Sequence, residues 1–218
     1  GPAETARRVE AGGAKASRHQ IDLADIGAVE RWMRALADDG GYDVLFNNAG
    51  VVGGHPAFPD APIEALRRVV DVNLTALIVT TQIGAQALRE RGGGVIVNTV
   101  STVALGKGFA DALYASSKAG VMMFTRCCAG LKADWNVRVM GVLPGLTDTP
   151  ILHKTGAGGQ AAAWMAPILE NNERCSPEDI AEAVIDLVRD DSLPGGDWVA
   201  VRRSGGRVER QWGHDEGG

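Results

Sequence analysis

The chain contains little of what disulfide-bonded, metal-binding or membrane-spanning proteins need. It has three cysteines, two of them adjacent (Cys127 and Cys128), which make a poor disulfide framework and no zinc spacing. The histidines are scattered and predict no metal site: His19, His55, His153 and His214. No apolar run approaches the roughly 20 residues that span a bilayer, and no signal-peptide pattern opens the sequence. We therefore expect a metal-free, cytoplasmic protein that does not enter a membrane.

Dense positive charge is also missing. The 22 basic residues are outnumbered by 27 acidic ones, and the net charge is −5. Arg202, Arg203 and Arg207 near the end are too few to form a nucleic-acid surface. Nucleic acid is therefore not an expected partner.

Length and composition are those of one globular domain. The 218 residues are 45% apolar and 22% charged, which suits a sheet covered by helices on both faces. Apolar runs and helical periodicity predict these strands: Lys15–Leu23, Val44–Phe46, Val95–Val97, Val137–Leu143 and Trp198–Val201. They also predict these helices: Pro2–Ala11, Ile26–Ala37, Ile63–Arg91, Leu113–Trp135 and Pro177–Val188, the last capped by Ser176.

This alternation of strands and helices predicts an α/β fold with a parallel sheet. Ligands of such sheets bind beyond the carboxyl ends of the strands. Polar or small residues follow three predicted strands at that edge: Asn47-Asn48-Ala49-Gly50, Ser101 and Pro144-Gly145. We expect the functional site there.

Tyr114 and Lys118 are the most informative pair in the chain. Four residues along a helix return a side chain to nearly the same face, so the phenol and the ammonium can act on one substrate oxygen. The cation is expected to lower the pKa of the tyrosine from its usual value of about 10, and a phenol tuned in this way can exchange a proton. Ser101, thirteen residues earlier, can hydrogen-bond the same oxygen. The alternative is a surface lysine beside a tyrosine packed on its helix.

The turn Asn47-Asn48-Ala49-Gly50 follows a buried strand with small side chains that permit a ligand to approach closely. Taken alone, this segment is better explained as a simple turn in which the asparagines satisfy loose backbone groups.

Together these segments resemble the classical short-chain dehydrogenase/reductase family, over about Pro2 to Val201. The resemblance rests on five motifs in order: Asn47-Asn48-Ala49-Gly50, Val72-Asn73-Leu74, Ser101 after Gly94-Val95-Ile96-Val97-Asn98, Tyr114-Ala115-Ser116-Ser117-Lys118, and Pro144 to Thr149. It implies a Rossmann-like doubly wound sheet and an NAD- or NADP-dependent interconversion of a secondary alcohol and a ketone.

The resemblance also implies roles for single residues. Tyr114 is the general acid and base, Lys118 lowers its pKa and binds the nicotinamide ribose, Ser101 orients the reacting oxygen, and Asn73 supports a water chain to Lys118. Alternatively, Asn73 marks a helix irregularity without a chemical role. The remaining cofactor-binding positions are Asp22 near the adenine, Asn47, Ala49 and Gly50 along the site, and Pro144, Gly145 and Thr149 around the nicotinamide; each could instead be a cap or turn residue.

The segment before Asn47 departs from the family. No strand, glycine-rich turn and helix form a phosphate cradle there, because Gly12-Gly13 follows a helix. The residues that choose between NAD and NADP are missing with it. The family's strand order then predicts that Val44–Phe46 has no partner on one side and exposes an apolar edge. We expect a truncated domain over residues 1–201 that binds cofactor weakly or folds marginally, or a fragment of a longer protein.

Three further features are expected, the first two of them from the resemblance. Residues 150–175, with a glycine hinge and bulky apolar residues, are a mobile substrate lid, or else a loop with a packing helix. The two long helices pair subunits into a homodimer or homotetramer. Residues 202–218 form a polar tail.

Two functions are weighed: the dehydrogenase or reductase, and a non-catalytic truncated relative that acts, if at all, by assembling with partner subunits.

Overall fold

The sheet confirms the predicted α/β architecture. The structure, a computed structural model, describes residues 2–214. Five strands lie side by side in chain order: β1 (Val44–Asn47), β2 (Gly94–Thr99), β3 (Val137–Pro144), β4 (Trp198–Ser204) and β5 (Arg207–Trp212). The first four are parallel, and β5 runs antiparallel to β4.

Eight α-helices accompany the sheet in the described part of the chain: α1 (Pro2–Ala11), α2 (Ile26–Asp38), α3 (Ile63–Val70), α4 (Ala76–Glu90), α5 (Ala112–Cys127), α6 (Leu131–Trp135), α7 (Ala166–Asn171) and α8 (Pro177–Arg189). A five-residue π-helical segment, Asp71–Thr75, joins α3 to α4. The predicted Ser176 cap is confirmed: its hydroxyl accepts from Asp179 N, and the Asp179 carboxylate accepts from Ser176 N. None of the helices found between residues 2 and 214 is long and apolar enough to cross a membrane.

The core lies on both faces of the sheet because successive strand side chains point in opposite directions. On one face, Met140 and Val142 of β3 pack with Ala183 and Leu187 of α8. On the other face, Leu143 of β3 packs with α4 and α5 residues in a cluster that includes Trp198. The carboxyl ends of the parallel strands are thereby held at one edge, which α5 approaches with its N-terminus.

One predicted strand is wrong. Lys15–Leu23 forms no regular structure, although Ile21 and Leu23 pack against the cluster around Val29 and Met33 of α2. A strand needs a neighbour to take up its backbone hydrogen bonds, and β1 is an edge strand with no neighbour on that side. The expected apolar edge is present, since Val44 is 43% and Phe46 41% exposed.

Two other boundaries differ from the prediction. The helix predicted over Leu113–Trp135 ends at Cys127, and α6 begins at Leu131 after a turn. The last strand passes Val201 and continues to Ser204, where Gly205 and Gly206, both at positive φ, turn the chain into β5. Residues 202–212 of the predicted tail are therefore part of the sheet, and 215–218 lie outside the described residues.

Candidate active site

Tyr114, Lys118 and Ser101 line one cavity. Tyr114 and Lys118 lie one turn apart on α5, with Lys118 Nζ 5.8 Å from the centroid of the Tyr114 ring. Lys118 is only 2% exposed, and its ammonium donates a hydrogen bond to Thr99 O at 2.7 Å. Ser101 follows β2 by two residues, and its hydroxyl is close enough to the phenol to act on the pKa of Tyr114. The serine and the lysine thus approach the phenol from two elements of the fold.

The electrostatics of this group differ from the sequence-based expectation. Burial raises the pKa of Tyr114; the hydrogen bond from Ser101 opposes this shift, and the Asp111 carboxylate adds to it. Burial also lowers the pKa of Lys118 to about 8. The predicted lowering of the Tyr114 pKa is therefore not found in this structure, where burial is the largest cause of the shift and Lys118 is not among its causes.

The π-helical segment places Asn73 in the interior, where it is 0% exposed. Its Oδ1 accepts from Val51 N at 2.8 Å, and its Nδ2 donates to Val51 O at 2.8 Å and to Ser117 Oγ at 3.0 Å. Both amide hydrogens are therefore used, and only the second lone pair of Oδ1 remains for a water. The helix irregularity foreseen at Asn73 is present, while its role in a water chain stays a prediction.

Asp111 connects the start of α5 to the loop after β1. One carboxylate oxygen caps the helix by accepting from Tyr114 N at 3.0 Å, and the other accepts from Gly53 N at 2.7 Å. A Cβ on Gly53 would lie 2.5 Å from the Asp111 carboxylate, so only glycine permits this approach. Sequence reasoning missed Asp111, although an aspartate three residues before Tyr114 is a readable helix cap.

The cavity has a volume of about 680 Å³, within the usual range of small-molecule sites. It is lined by most of the predicted site residues: Gly50, Ser101, Tyr114, Lys118, Pro144, Gly145 and Thr149. Its apolar wall includes Phe109, Met165 and Ile168, and Trp164 packs edge-on against Phe109 with ring centroids 5.3 Å apart. Within residues 2–214, no three His, Cys, Asp or Glu side chains are grouped to hold a metal ion.

The other predicted positions lie away from the cavity wall. Asn47 bonds Thr80, Thr81 and Asn98 through its side chain and so ties β1 to β2 and α4. Asp22 accepts from Ala24 N, which lowers the pKa of its carboxyl, and pairs with Arg68 at 3.5 Å. Ala49 is exposed, Asn73 is buried, and neither residue lines the cavity.

A nicotinamide nucleotide fits the polar end of the cavity. Among the residues that the structure describes, only Thr99 O accepts from Lys118 Nζ, which leaves two hydrogens for ribose hydroxyls. Gly50 borders this ammonium, since a Cβ there would lie 3.6 Å from Nζ, an ordinary van der Waals distance. Ahead of β1, residues 2–43 contain no strand and hence no strand-to-helix phosphate turn. The described residues thus fit the nicotinamide and its ribose, and no role in binding the pyrophosphate is assigned to them.

Comparisons with known proteins agree with this geometry. A family model described as short chain dehydrogenase matches residues 1–159. Cis-4-hydroxycyclohexanecarboxylate dehydrogenase of Sinomonas cyclohexanicum is 32% identical over 192 residues, which are 87% of this chain and 76% of that protein. 3beta-Hydroxysteroid dehydrogenase 1 of Eggerthella lenta is 34% identical over 194 residues, which are 87% of this chain and 73% of that protein. A solved short chain dehydrogenase from Burkholderia cenocepacia J2315 in complex with NADP has a TM-score of 0.77 and 29% identity, and the match covers 91% of this chain and 80% of that one.

Proposed function

Because the chain belongs to the short-chain dehydrogenase family, whose members use NAD or NADP to act on alcohol groups, we propose that it interconverts a secondary alcohol and a ketone, with Tyr114 as the acid and base. The observation that carries this proposal is the meeting of Tyr114, Ser101 and Lys118 in one cavity at the carboxyl ends of the strands. A bound nicotinamide supplies or accepts the hydride.

The residues around the reacting oxygen then have separate roles. In ketone reduction, Tyr114 Oη donates its proton to the developing alkoxide, and the raised pKa keeps that proton in place at neutral pH. Ser101 Oγ donates a hydrogen bond to the same oxygen and holds it in line. In alcohol oxidation the phenol must first lose its proton, so oxidation accelerates as the pH rises. Lys118 orients the ribose and, below its pKa of about 8, places a positive charge beside the phenol.

The proposed substrate is an alicyclic alcohol. The apolar wall with Phe109, Trp164 and Ile168 suits a carbon ring, and the names of the two relatives both describe a hydroxyl on a carbocycle. Residues 150–175, which carry Trp164 and Ile168, are proposed as the lid that excludes water from this ring.

Replacement of Tyr114 by phenylalanine tests the mechanism. Cyclohexanol oxidation and cyclohexanone reduction are followed with each nucleotide, and Tyr114→Phe is expected to lower kcat by roughly a hundredfold or more with an unchanged circular dichroism spectrum. Tyr42→Phe is the matched control. Tyr42 is the chain's other tyrosine, does not line the cavity, and has a buried hydroxyl without a hydrogen-bond partner in the structure. Undiminished turnover in Tyr114→Phe would refute the mechanism.

We further propose that subunits pair through the helices around α5 into a homodimer or homotetramer. Met123 of α5 is 59% exposed and Val70 of α3 is 45% exposed, and a partner would cover them. Light scattering behind size-exclusion chromatography tests this, and a clean monomer counts against it.

The three free thiols, Cys127, Cys128 and Cys175, support action in the reducing cytoplasm, which cell fractionation would check.

A further inference from the structure

Arg202 brings an uncompensated positive charge to the wall of the cavity. It follows Val201, whose register partner on β3 is Pro144, and it is exposed. Its Nη1 donates to Gln211 Oε1 at 3.0 Å, and no carboxylate of residues 2–214 forms an ion pair with it. Even Glu209, its partner across the antiparallel pair with β5, makes no such contact.

The other charged groups on the wall have partners. Arg203 pairs with Asp179 at 2.8 Å, and Glu173 accepts from Gly206 N. Asp111 is held by Gly53 and by the start of α5, and Lys118 by Thr99 O. Of the charged groups of the described wall, Lys118 and Arg202 each hydrogen-bond a single neutral amide oxygen, and Lys118 is already assigned to the ribose.

Arg202 lines the same cavity as Tyr114. Its stem passes over Gly145, where a Cβ would lie 3.4 Å from Arg202 Cγ. Side chains alternate along β4, so Arg202 shares the sheet face of Trp198 and Ala200, which pack with Val121 of α5. Arg203 turns to the opposite face, where it meets Asp179 of α8. Arg202 and Tyr114 thus reach the cavity from the same side of the sheet.

We propose that Arg202 binds a carboxylate on the substrate, which makes the substrate class an alicyclic hydroxy acid. This inference rests on the proposed alcohol dehydrogenase function and names its substrate more closely. With Nη1 on Gln211, the Nε and Nη2 hydrogens remain as a planar fork that matches the two oxygens of a carboxylate. Because the guanidinium is exposed, salt weakens this contact.

The kinetic test compares two substrates with the same ring. Arg202→Gln is expected to lower kcat/KM for cis-4-hydroxycyclohexanecarboxylate about tenfold or more and to leave cyclohexanol nearly unchanged. Arg202→Lys is expected to retain part of the preference for the hydroxy acid over cyclohexanol. Lysine keeps the positive charge but cannot donate two parallel hydrogen bonds to the carboxylate. Arg207→Gln is the matched control, since Arg207 is an exposed arginine of β5 outside the cavity. Equal losses on both substrates, or no loss on either, overturn the proposal.

A binding measurement separates this inference from the proposed function. Calorimetry with cyclohexanecarboxylate, which has no hydroxyl to oxidise, is expected to show binding to the wild type that weakens about tenfold in Arg202→Gln, with little change for the uncharged cyclohexanecarboxamide. If neither alcohol turns over but this difference appears, the proposed function fails and the carboxylate site stands. If Arg202→Gln instead weakens NAD or NADP binding and spares cyclohexanecarboxylate, the arginine serves the cofactor and the proposal is overturned.

Discussion

The side chain of Asn73 and the backbone of Val51 exchange two hydrogen bonds, each 2.8 Å long. This pairing resembles one rung of a sheet ladder, with an amide side chain in place of the second strand. It fixes the loop after β1 where Gly50 borders Lys118. A third bond, to Ser117 Oγ, extends the network to Tyr114 O, which accepts from that hydroxyl at 2.8 Å. The loop and α5 are thereby held in one arrangement.

Asn73→Asp is expected to break this arrangement while keeping the shape of the side chain. A carboxylate cannot donate to Val51 O or Ser117 Oγ, so both acceptors lose their hydrogen-bond donor in the interior. The free energy of unfolding should fall by about 1–3 kcal/mol and kcat should fall with it. Denaturant titration and steady-state rates measure both. Asn171→Asp, on the exposed end of α7, serves as the control, and an unfolding midpoint for Asn73→Asp equal to that of the wild type would contradict the prediction.

Lys118→Met is expected to stabilise the fold while it removes activity. Burial lowers the pKa of Lys118 from 10.5 to about 8, so the folded protein releases a proton that the unfolded chain keeps. Below pH 8 both states carry the charge, and the folded state bears the full cost of burying it. Between pH 8 and 10.5 the folded protein loses the proton, and the cost fades as the pH rises.

Lys118→Met has no ammonium to bury, so it lacks this free-energy cost at every pH. Its free energy of unfolding should exceed that of the wild type by about 1–3 kcal/mol below pH 8, after allowance for the lost bond to Thr99 O. The difference should shrink toward pH 10.5. Thermal unfolding across this range is the measurement, and Lys107→Met on an exposed turn controls for the loss of a surface charge. A difference that does not depend on pH would rule out the buried ammonium as its cause.

The amino-acid sequence alone was enough to predict the parts of the site that depend on local geometry. A four-residue step on a helix places Lys118 beside Tyr114, and Ser101 and Gly145 reach the cavity because parallel strands end at one edge. The direction of the Tyr114 pKa shift was not predictable in this way, because it depends on how much water the whole fold removes from the phenol.

Contacts between residues far apart in the sequence explain the other differences between the prediction and the structure. Lys15–Leu23 has the composition of a strand, but a strand forms only beside another strand. Arg202 lies 88 residues after Tyr114 (202 − 114), and only the pairing of β3 with β4 brings it to the cavity. Its sequence signal was its place directly after a predicted strand, the same signal that marks Ser101 and Gly145.

The last prediction concerns Arg138, a buried arginine of β3 that sequence reasoning passed over. Its side chain is 6% exposed and donates to three carbonyl oxygens at the end of α8, those of Leu187, Val188 and Asp190, and to the Asp191 carboxylate. A cation at a helix C-terminus satisfies carbonyl groups that the helix itself leaves unpaired.

Arg138→Met keeps an apolar stem but leaves those carbonyls without their donor. The free energy of unfolding should fall by about 3 kcal/mol, because several charge-assisted hydrogen bonds are lost in the interior at once. Denaturant titration measures the loss, and Arg34→Met is the control, since Arg34 makes only an exposed ion pair with Glu30 whose loss costs about 0.5 kcal/mol. The kcat of the folded Arg138→Met protein should stay within about twofold of the wild type, because α8 contributes no residue to the proton transfer. Equal stability losses in the two variants would show that β3 does not hold α8 through this side chain.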